Sequence, residues 1–226
     1  MNDHTSHSAP DAARQRRQAI VDRVVAAGAV AVVRLPRADQ LQDAVRAIAD
    51  GGVMAIEVTL TTPGALAAIE LLRRDPALCL GAGSVLDAVA AREAIAAGAE
   101  YLVSPIFDAE VLAVAHAHGA PMMPGAYTPT EIHAAHRAGA DIVKVFPADG
   151  LGPSYLKGVL APMPFLSLMP TGGVTPENAG SWIRAGAVAV GLGSALVDPA
   201  LVAAGDWGTL TARAQQLRAQ VVAARS

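Results

Sequence analysis

Lys144 is the residue whose type and setting best fit covalent chemistry. The 226 residues include fifteen arginines but only two lysines, Lys144 and Lys157, although lysine is ordinarily common on protein surfaces. Lys144 lies in an apolar run between Ile142 and Phe146, where burial disfavours the charged ammonium and favours a neutral, nucleophilic amine. Such an amine condenses with ketones. Lys157 falls in a predicted helix, on a face expected to be solvated, and is the weaker candidate.

Glu57 is the expected proton carrier for that amine. Side chains two apart in a strand share a face, so in the predicted strand 55–59 Glu57 points away from the bulky Ile56 and Val58. If the aliphatic residues face helices, Glu57 and Lys144 project from different strands into the same interior. A carboxylate there can move protons for a ketone adduct of the lysine. A structural buried ion pair is the alternative interpretation.

Two glycine-rich turns are the second signal: Thr-Gly-Gly at 171–173 and Gly-Leu-Gly-Ser at 191–194. Exposed backbone amides and a hydroxyl in such turns can hold a phosphate dianion, although glycines can also serve only to make the turns tight. Gly-Ala-Gly at 81–83 lacks the later glycine and acidic residue of a dinucleotide fingerprint, so NAD is not expected. The phosphate-binding candidates are Gly172, Gly173, Gly191, Gly193 and Ser194.

Composition narrows the class of protein. Hydrophobic residues make up 53% and charged residues 16%, enough for a large core, yet no apolar run approaches the roughly 18 residues of a membrane helix. A net charge of −3 without a basic block in the folded part argues against nucleic acid as a partner. The single cysteine, Cys79, excludes an internal disulfide. No metal is expected, because the histidines fall in predicted helices without a completing ligand set. A cytoplasmic protein fits.

The elements that must position these residues alternate along the chain. Short apolar runs are followed by Ala-rich amphipathic stretches, and glycine recurs just past the helices. About eight alternations predict an α/β fold, a closed (β/α)8 TIM barrel with an extra N-terminal helix; an open doubly wound sheet is the alternative. We expect a disordered polar tail at 1–10, one domain at 11–226, a connecting loop at 198–207 and a last helix at 209–224. Strands are predicted at 30–34, 55–59, 79–81, 101–104, 121–123, 142–146, 165–169 and 188–191.

Seven short motifs, taken in order and spacing, resemble one enzyme family. It is the 2-keto-3-deoxy-6-phosphogluconate (KDPG) and 4-hydroxy-2-oxoglutarate (KHG) aldolase family, and the resemblance covers roughly residues 28–207. Each motif alone is weak, but together they are highly specific. They are Glu-Val-Thr-Leu at 57–60, Gly-Ala-Gly-Ser-Val-Leu at 81–86, Ser-Pro at 104–105, Met-Pro-Gly at 123–125, Lys-Val-Phe-Pro-Ala at 144–148, Pro-Thr-Gly-Gly-Val at 170–174 and Gly-Leu-Gly-Ser at 191–194.

The resemblance implies a class I aldolase that needs no metal or other cofactor, on a (β/α)8 barrel that is usually a homotrimer. It implies that Lys144 forms a Schiff base with a 2-keto acid and that Glu57 is the general acid/base, acting partly through water. Ser84 would lie near the pyruvyl carboxylate, and Thr171 near the substrate's hydroxyl or carboxylate. The implied pocket wall is Pro105 and Phe146, and the implied phosphate contacts are Gly172, Gly173, Gly193 and Ser194.

One position departs from the family pattern. Many members carry an arginine four residues after the catalytic glutamate, where this sequence has Thr61. Arg34, at the end of the first predicted strand, is the nearest candidate to replace that cation; Thr59 and Thr61 complete the substrate-binding candidates. The implied reaction releases pyruvate and glyceraldehyde 3-phosphate from KDPG, and KHG would give pyruvate and glyoxylate. Phosphogalactonate-type aldolases share the departure, so the epimer stays open.

Two other functions would use the same predicted phosphate site. A phosphate-binding barrel isomerase would use Glu57 for proton transfer without a Schiff base. A catalytically silent phosphosugar-binding barrel would be expected to lack either Glu57 or Lys144, and both are present. Under each function the partner is a small phosphorylated molecule.

Overall fold

The computed structural model describes residues 8–226, with side chains from residue 11 onward. Of the predicted tail at 1–10, residues 1–7 lie outside the described residues, and α1 begins at Ser8. The strands are β1 Ala29–Val33, β2 Ala55–Thr59, β3 Cys79–Gly83, β4 Tyr101–Val103, β5 Met122–Met123, β6 Gly125–Ala126, β7 Val143–Val145, β8 Leu168–Pro170 and β9 Val190–Leu192. The helices are α1 Ser8–Ala27, α2 Leu41–Asp50, α3 Ala65–Leu72, α4 Ala88–Ala97, α5 Ala109–Ala117, α6 Pro129–Arg137, α7 Gly152–Leu160, α8 Ala179–Arg184, α9 Pro199–Ala204 and α10 Trp207–Arg225.

The strands form an α/β fold with curled parallel sheets. Six strands pair in the order β5-β4-β3-β2-β1-β9 and three in the order β6-β7-β8. This order has no reversal of the kind that defines a doubly wound sheet. The strand predicted at 121–123 is β5, and the short β6 after it was not predicted. Between the two lies Pro124, which has no amide hydrogen for a ladder. A single parallel bridge, Thr171 to Gly191, joins the end of β8 to β9.

Strand alternation separates two apolar layers. Ile56, Val58, Val143 and Val145 belong to the layer that packs against the helices. The inner layer is made mainly by inward-facing residues near the amino ends of the strands, together with the apolar face of α1, which therefore covers those ends. Its members include Ile20, Val21 and Val24 of α1 and Val30, Ala55, Cys79, Tyr101, Ile142, Met169 and Ala189 of the sheet region. The opposite, carboxyl ends carry the candidate site, as is usual for parallel α/β folds.

Local signals explain where the helices begin and end. Asp87 and Asp108 cap α4 and α5 by accepting backbone N–H bonds, and Thr128 forms a capping box with Glu131 at the start of α6. Gly98 ends α4 in the left-handed conformation. Within residues 8–226, no helix is long and apolar enough to cross a membrane.

Two predicted elements are wrong. The segment 198–207 is not a loop throughout, because Asp198 caps the short helix α9, Pro199 occupies its first turn and Gly205 ends it. The strand predicted at 165–169 begins only at Leu168. Phe165 is 56% exposed in a turn that follows Pro162 and Pro164, and proline restricts the backbone before it and donates no ladder hydrogen bond.

Candidate active site

Glu57 and Lys144 meet inside the sheets, as strand alternation predicts. The two side chains come from β2 and β7 and are 2% and 7% exposed, and Lys144 Nζ lies 3.8 Å from Glu57 Oε1. That separation is an ion-pair contact but too long for a hydrogen bond. The ammonium also lies 5.1 Å from the ring centroid of Phe146. Glu57 Oε2 has no hydrogen-bond partner among the groups that the structure describes, so one carboxylate oxygen is available to a substrate or water.

Glycines in β3 make room for this pair. A Cβ at Gly83 would lie 1.9 Å from Glu57 Oε1 and 2.6 Å from its Cγ and Cδ. Gly83 is also paired in register with Thr59 of β2. The Glu57 carboxyl group thus occupies the space in which any other residue at 83 would place its side chain. In the sequence, this Gly-Ala-Gly run was interpreted as a failed dinucleotide motif and as part of a family motif, and its packing role was missed. A glycine inside a strand often marks such a close approach.

Threonines connect the ends of β1 and β2. The buried Thr59 hydroxyl lies 3.1 Å from that of Thr61 and donates to the Val33 carbonyl at 3.4 Å. Thr62 Oγ1 accepts from the Leu35 backbone amide at 3.2 Å. Arg34 lies in the chain between Val33 and Leu35, directly after β1, and is exposed. Among residues 11–226 it forms no ion pair.

The two glycine turns lie side by side. The Thr171–Gly191 bridge joins them, and a Cβ at Gly191 would come 2.3 Å from Thr171 Oγ1. Gly172 and Gly173 have φ of 94° and 68°, which glycine adopts far more readily than other residues. Around Gly193 there is open space, and Ser194 is exposed.

An acidic residue that the sequence did not single out lies against the first turn. Asp149 Cα would be 2.6 Å from a Cβ at Gly173, and Asp149 Oδ1 would be 3.6 Å from one at Gly172. The Asp149 side chain therefore packs against the backbone of the first glycine turn. One signal in the sequence could have found Asp149. It follows Lys144 by five residues, in the segment after that strand, where active-site residues of barrel folds lie.

The other candidates lie on the same rim. Pro105 and Phe146 line a cavity of about 360 Å³ together with Ile106, Phe107 and Tyr127. Ser84 follows Gly83 directly and has φ of 60°, an uncommon conformation for a residue with a side chain, of the kind often found at functional sites. Thr171 is buried, and its hydroxyl has no partner among the described groups.

The histidines and the cysteine have local roles. His116 Nε2 lies 3.1 Å from Asp141 Oδ2, His118 contacts the Val114 carbonyl, and His136 packs on Phe165. Burial raises the pKa of the Cys79 thiol to about 12, so at neutral pH it is an unreactive thiol. In the described part of the chain, no three His, Cys, Asp or Glu side chains are grouped as a metal site would require.

Comparisons with known proteins point in one direction. The model of the family described as KDPG and KHG aldolase matches residues 5–213. A 2-dehydro-3-deoxy-phosphogluconate aldolase of Treponema pallidum is 38% identical over 189 residues, which is 83% of this chain and 90% of that protein. A 2-dehydro-3-deoxy-6-phosphogalactonate aldolase of Escherichia coli is 36% identical over 171 residues, or 74% and 83%. The crystal structure of a KDPG aldolase from Legionella pneumophila, with pyruvate captured as a covalent carbinolamine intermediate, superposes with a TM-score of 0.80 at 28% identity, covering 87% of this chain and 97% of that one.

Proposed function

This chain belongs to the KDPG and KHG aldolase family, and from that premise we propose that it is a class I aldolase. Its substrate is KDPG or a close epimer, cleaved to pyruvate and glyceraldehyde 3-phosphate. The observation that carries the proposal is the buried pair of Lys144 Nζ and Glu57 Oε1, 3.8 Å apart. A nucleophile and a proton carrier at that separation have the geometry that amine catalysis of a ketone needs.

The reaction follows from the two side chains. Lys144 transfers a proton to Glu57, and the neutral amine adds to the C2 carbonyl of the substrate. Glu57 returns this proton to the hydroxyl of the carbinolamine, which leaves as water, so that an iminium forms and Glu57 is again a carboxylate. Glu57 then takes the proton of the C4 hydroxyl, the C3–C4 bond breaks, and its electron pair moves into the iminium to form an enamine as the aldehyde leaves. Protonation of the enamine at C3 and addition of water release pyruvate and regenerate Lys144.

Substrate contacts are proposed along the same rim. The backbone amides at Gly172, Gly173, Gly191 and Gly193, with the Ser194 hydroxyl, hold the phosphate. Ser84 and Thr171 contact the pyruvyl end, and Pro105 and Phe146 form the apolar wall. Arg34, exposed at the end of β1, supplies the cation that is missing at position 61, and a guanidinium suits a carboxylate partner.

The phosphogalactonate epimer is the second candidate substrate. Thr61 favours it, because this chain lacks the arginine expected there for many KDPG aldolases. The similarity to a named phosphogalactonate aldolase, 36% identity, is close to the 38% for a named phosphogluconate aldolase. The bond that breaks is the same in both epimers, so specificity constants with KDPG, its galactonate epimer and KHG decide between them.

We propose that the two sheets close into one (β/α)8 barrel. Support comes from the Thr171–Gly191 bridge and from backbone bonds that continue around the strands: Val188 N donates to Leu168 O at 3.0 Å and Lys144 N to Pro124 O at 2.9 Å.

We also propose that the protein is a cytoplasmic homotrimer. Exposed apolar side chains, which a subunit interface would cover, support the trimer; they include Leu86, Val89, Ile106 and Phe165. Light scattering on the purified protein measures the trimer directly.

Borohydride trapping tests the catalytic proposal. Pyruvate is added, the adduct is reduced, and its position is mapped by mass spectrometry. We expect the adduct on Lys144, loss of trapping in K144R, and full trapping in K157R, the matched control at an exposed site. An adduct on Lys157 alone, or none, would contradict the Schiff base. Isomerisation of a phosphorylated sugar, with no adduct formed, would instead support an isomerase that uses Glu57 alone.

A further inference from the structure

Tyr101 is a buried tyrosine whose hydroxyl the fold does not use. The side chain is fully buried on the inner face of β4, and the hydroxyl has no hydrogen-bond partner among the groups that the structure describes. Leaving a buried hydroxyl unpartnered is unfavourable. Phenylalanine would fill nearly the same space without that cost, which suggests that the Tyr101 hydroxyl has a function.

The strand register directs Tyr101 towards Glu57. Gly81 of β3 is paired on one side with Glu57 and on the other with Tyr101, so the three residues form one row across three strands. A Cβ at Gly81 would lie 2.2 Å from Tyr101 Cε2 and 2.4 Å from its Cζ. The phenol ring therefore covers Gly81, and the Glu57 carboxyl group covers Gly83, the next residue of β3 on the same face.

The two ends of this row carry complementary groups. Glu57 Oε2 is a buried acceptor and Tyr101 Oη a buried donor, each without a partner among the described residues, and no direct hydrogen bond joins them. Burial raises the pKa of the Tyr101 phenol well above its usual value, and the charges of Cys79 and Glu57 add to that shift. The phenol therefore keeps its proton at neutral pH and can donate a hydrogen bond. Two polar groups that face a common interior but do not touch suit a bridging water.

We propose that Tyr101 is a positioning residue for proton transfer: its hydroxyl donates to a buried water that in turn donates to Glu57 Oε2. The inference rests on the proposed aldolase function. The bridge holds Oε1 towards Lys144 and favours the charged carboxylate. The other titratable groups facing this row are Lys144 from β7 and Cys79 from β3. Farther away, Glu100 before β4 and Arg23 of α1 are paired with each other at 2.5 Å.

The test measures a single proton-transfer step. Exchange of the pyruvate methyl protons in deuterated water, followed by NMR across pH, reports enamine formation at C3 without involving phosphate. In Y101F we expect exchange to fall about fivefold, the effect of one ordinary hydrogen bond, and the acidic limb of the profile to move to higher pH. The limb moves up because the carboxylate loses a bond that favours its charged form. Y155F is the matched control, since Tyr155 donates to the Tyr127 carbonyl outside the inner layer, and its limb stays in place.

Several outcomes separate the two ideas. No adduct in the wild type would overturn the aldolase proposal itself. A wild-type adduct with an unshifted limb in Y101F would overturn only the role of Tyr101. In an E57Q background, Y101F is expected to have no further effect, and a further fivefold loss would show that Tyr101 acts elsewhere. A wild-type crystal structure at high resolution gives a test without variants: water between Tyr101 Oη and Glu57 Oε2 supports the proposal, and its absence there contradicts it.

Discussion

Adding one carbon atom at Gly83 should displace the Glu57 carboxylate. In G83A the new Cβ would begin 1.9 Å from Glu57 Oε1, whereas ordinary contacts start near 3.4 Å, so the oxygen must move by about 1.5 Å. Gly83 does not have a positive φ in the structure, so alanine adds a steric effect without backbone strain. Misplacing a catalytic group by about 1 Å can cost roughly 10²-fold in rate. We therefore expect kcat to fall about a hundredfold.

The assay couples pyruvate release to lactate dehydrogenase, with thermal unfolding as the check on folding. Overpacking a core costs about 1–3 kcal/mol, so G83A should unfold at a lower temperature yet remain folded at 25 °C. G158A is the matched control: a Cβ at Gly158 meets nothing within 4 Å, and the residue lies in α7. A folded G83A with kcat within threefold of wild type would refute the view that Glu57 needs this empty position.

Two further predictions concern charge. S194D places a carboxylate in the proposed phosphate site, so KM for KDPG should rise at least tenfold while that for KHG, which has no phosphate, stays within twofold; equal losses would contradict the phosphate site. Cys79, whose pKa is raised to about 12, should resist iodoacetamide at pH 8 in the native protein and react once unfolded in urea. Because its folded pKa exceeds the ordinary 9.0, the folded state retains this proton more tightly, and its contribution to stability falls as pH rises above 9. Rapid native labelling would show that the inner layer opens.

The meeting of Glu57 and Lys144 could be predicted because strand parity depends only on counting by two. The bounds of β2 also followed from sequence, since a polar threonine run ends it. Other features depend on what lies across the sheet. That Gly83 makes room for Glu57, and that Gly81 makes room for Tyr101, requires the register between strands, which no single segment specifies. α9 was missed because six residues between Asp198 and Gly205 are too few for an apolar period to show.

The two glycines of β3 limit how this sequence can vary. At Gly81 and Gly83 the strand contributes backbone only, and the volume above it belongs to Tyr101 and Glu57. Substitutions at these four positions are therefore not independent. A larger residue at 81 becomes acceptable only with a smaller one at 101, whereas position 83 has no such exchange, because shortening Glu57 removes the carboxylate. Positions 81 and 101 can therefore change together during evolution, whereas positions 83 and 57 cannot, although both constraints arise from glycines in the same strand.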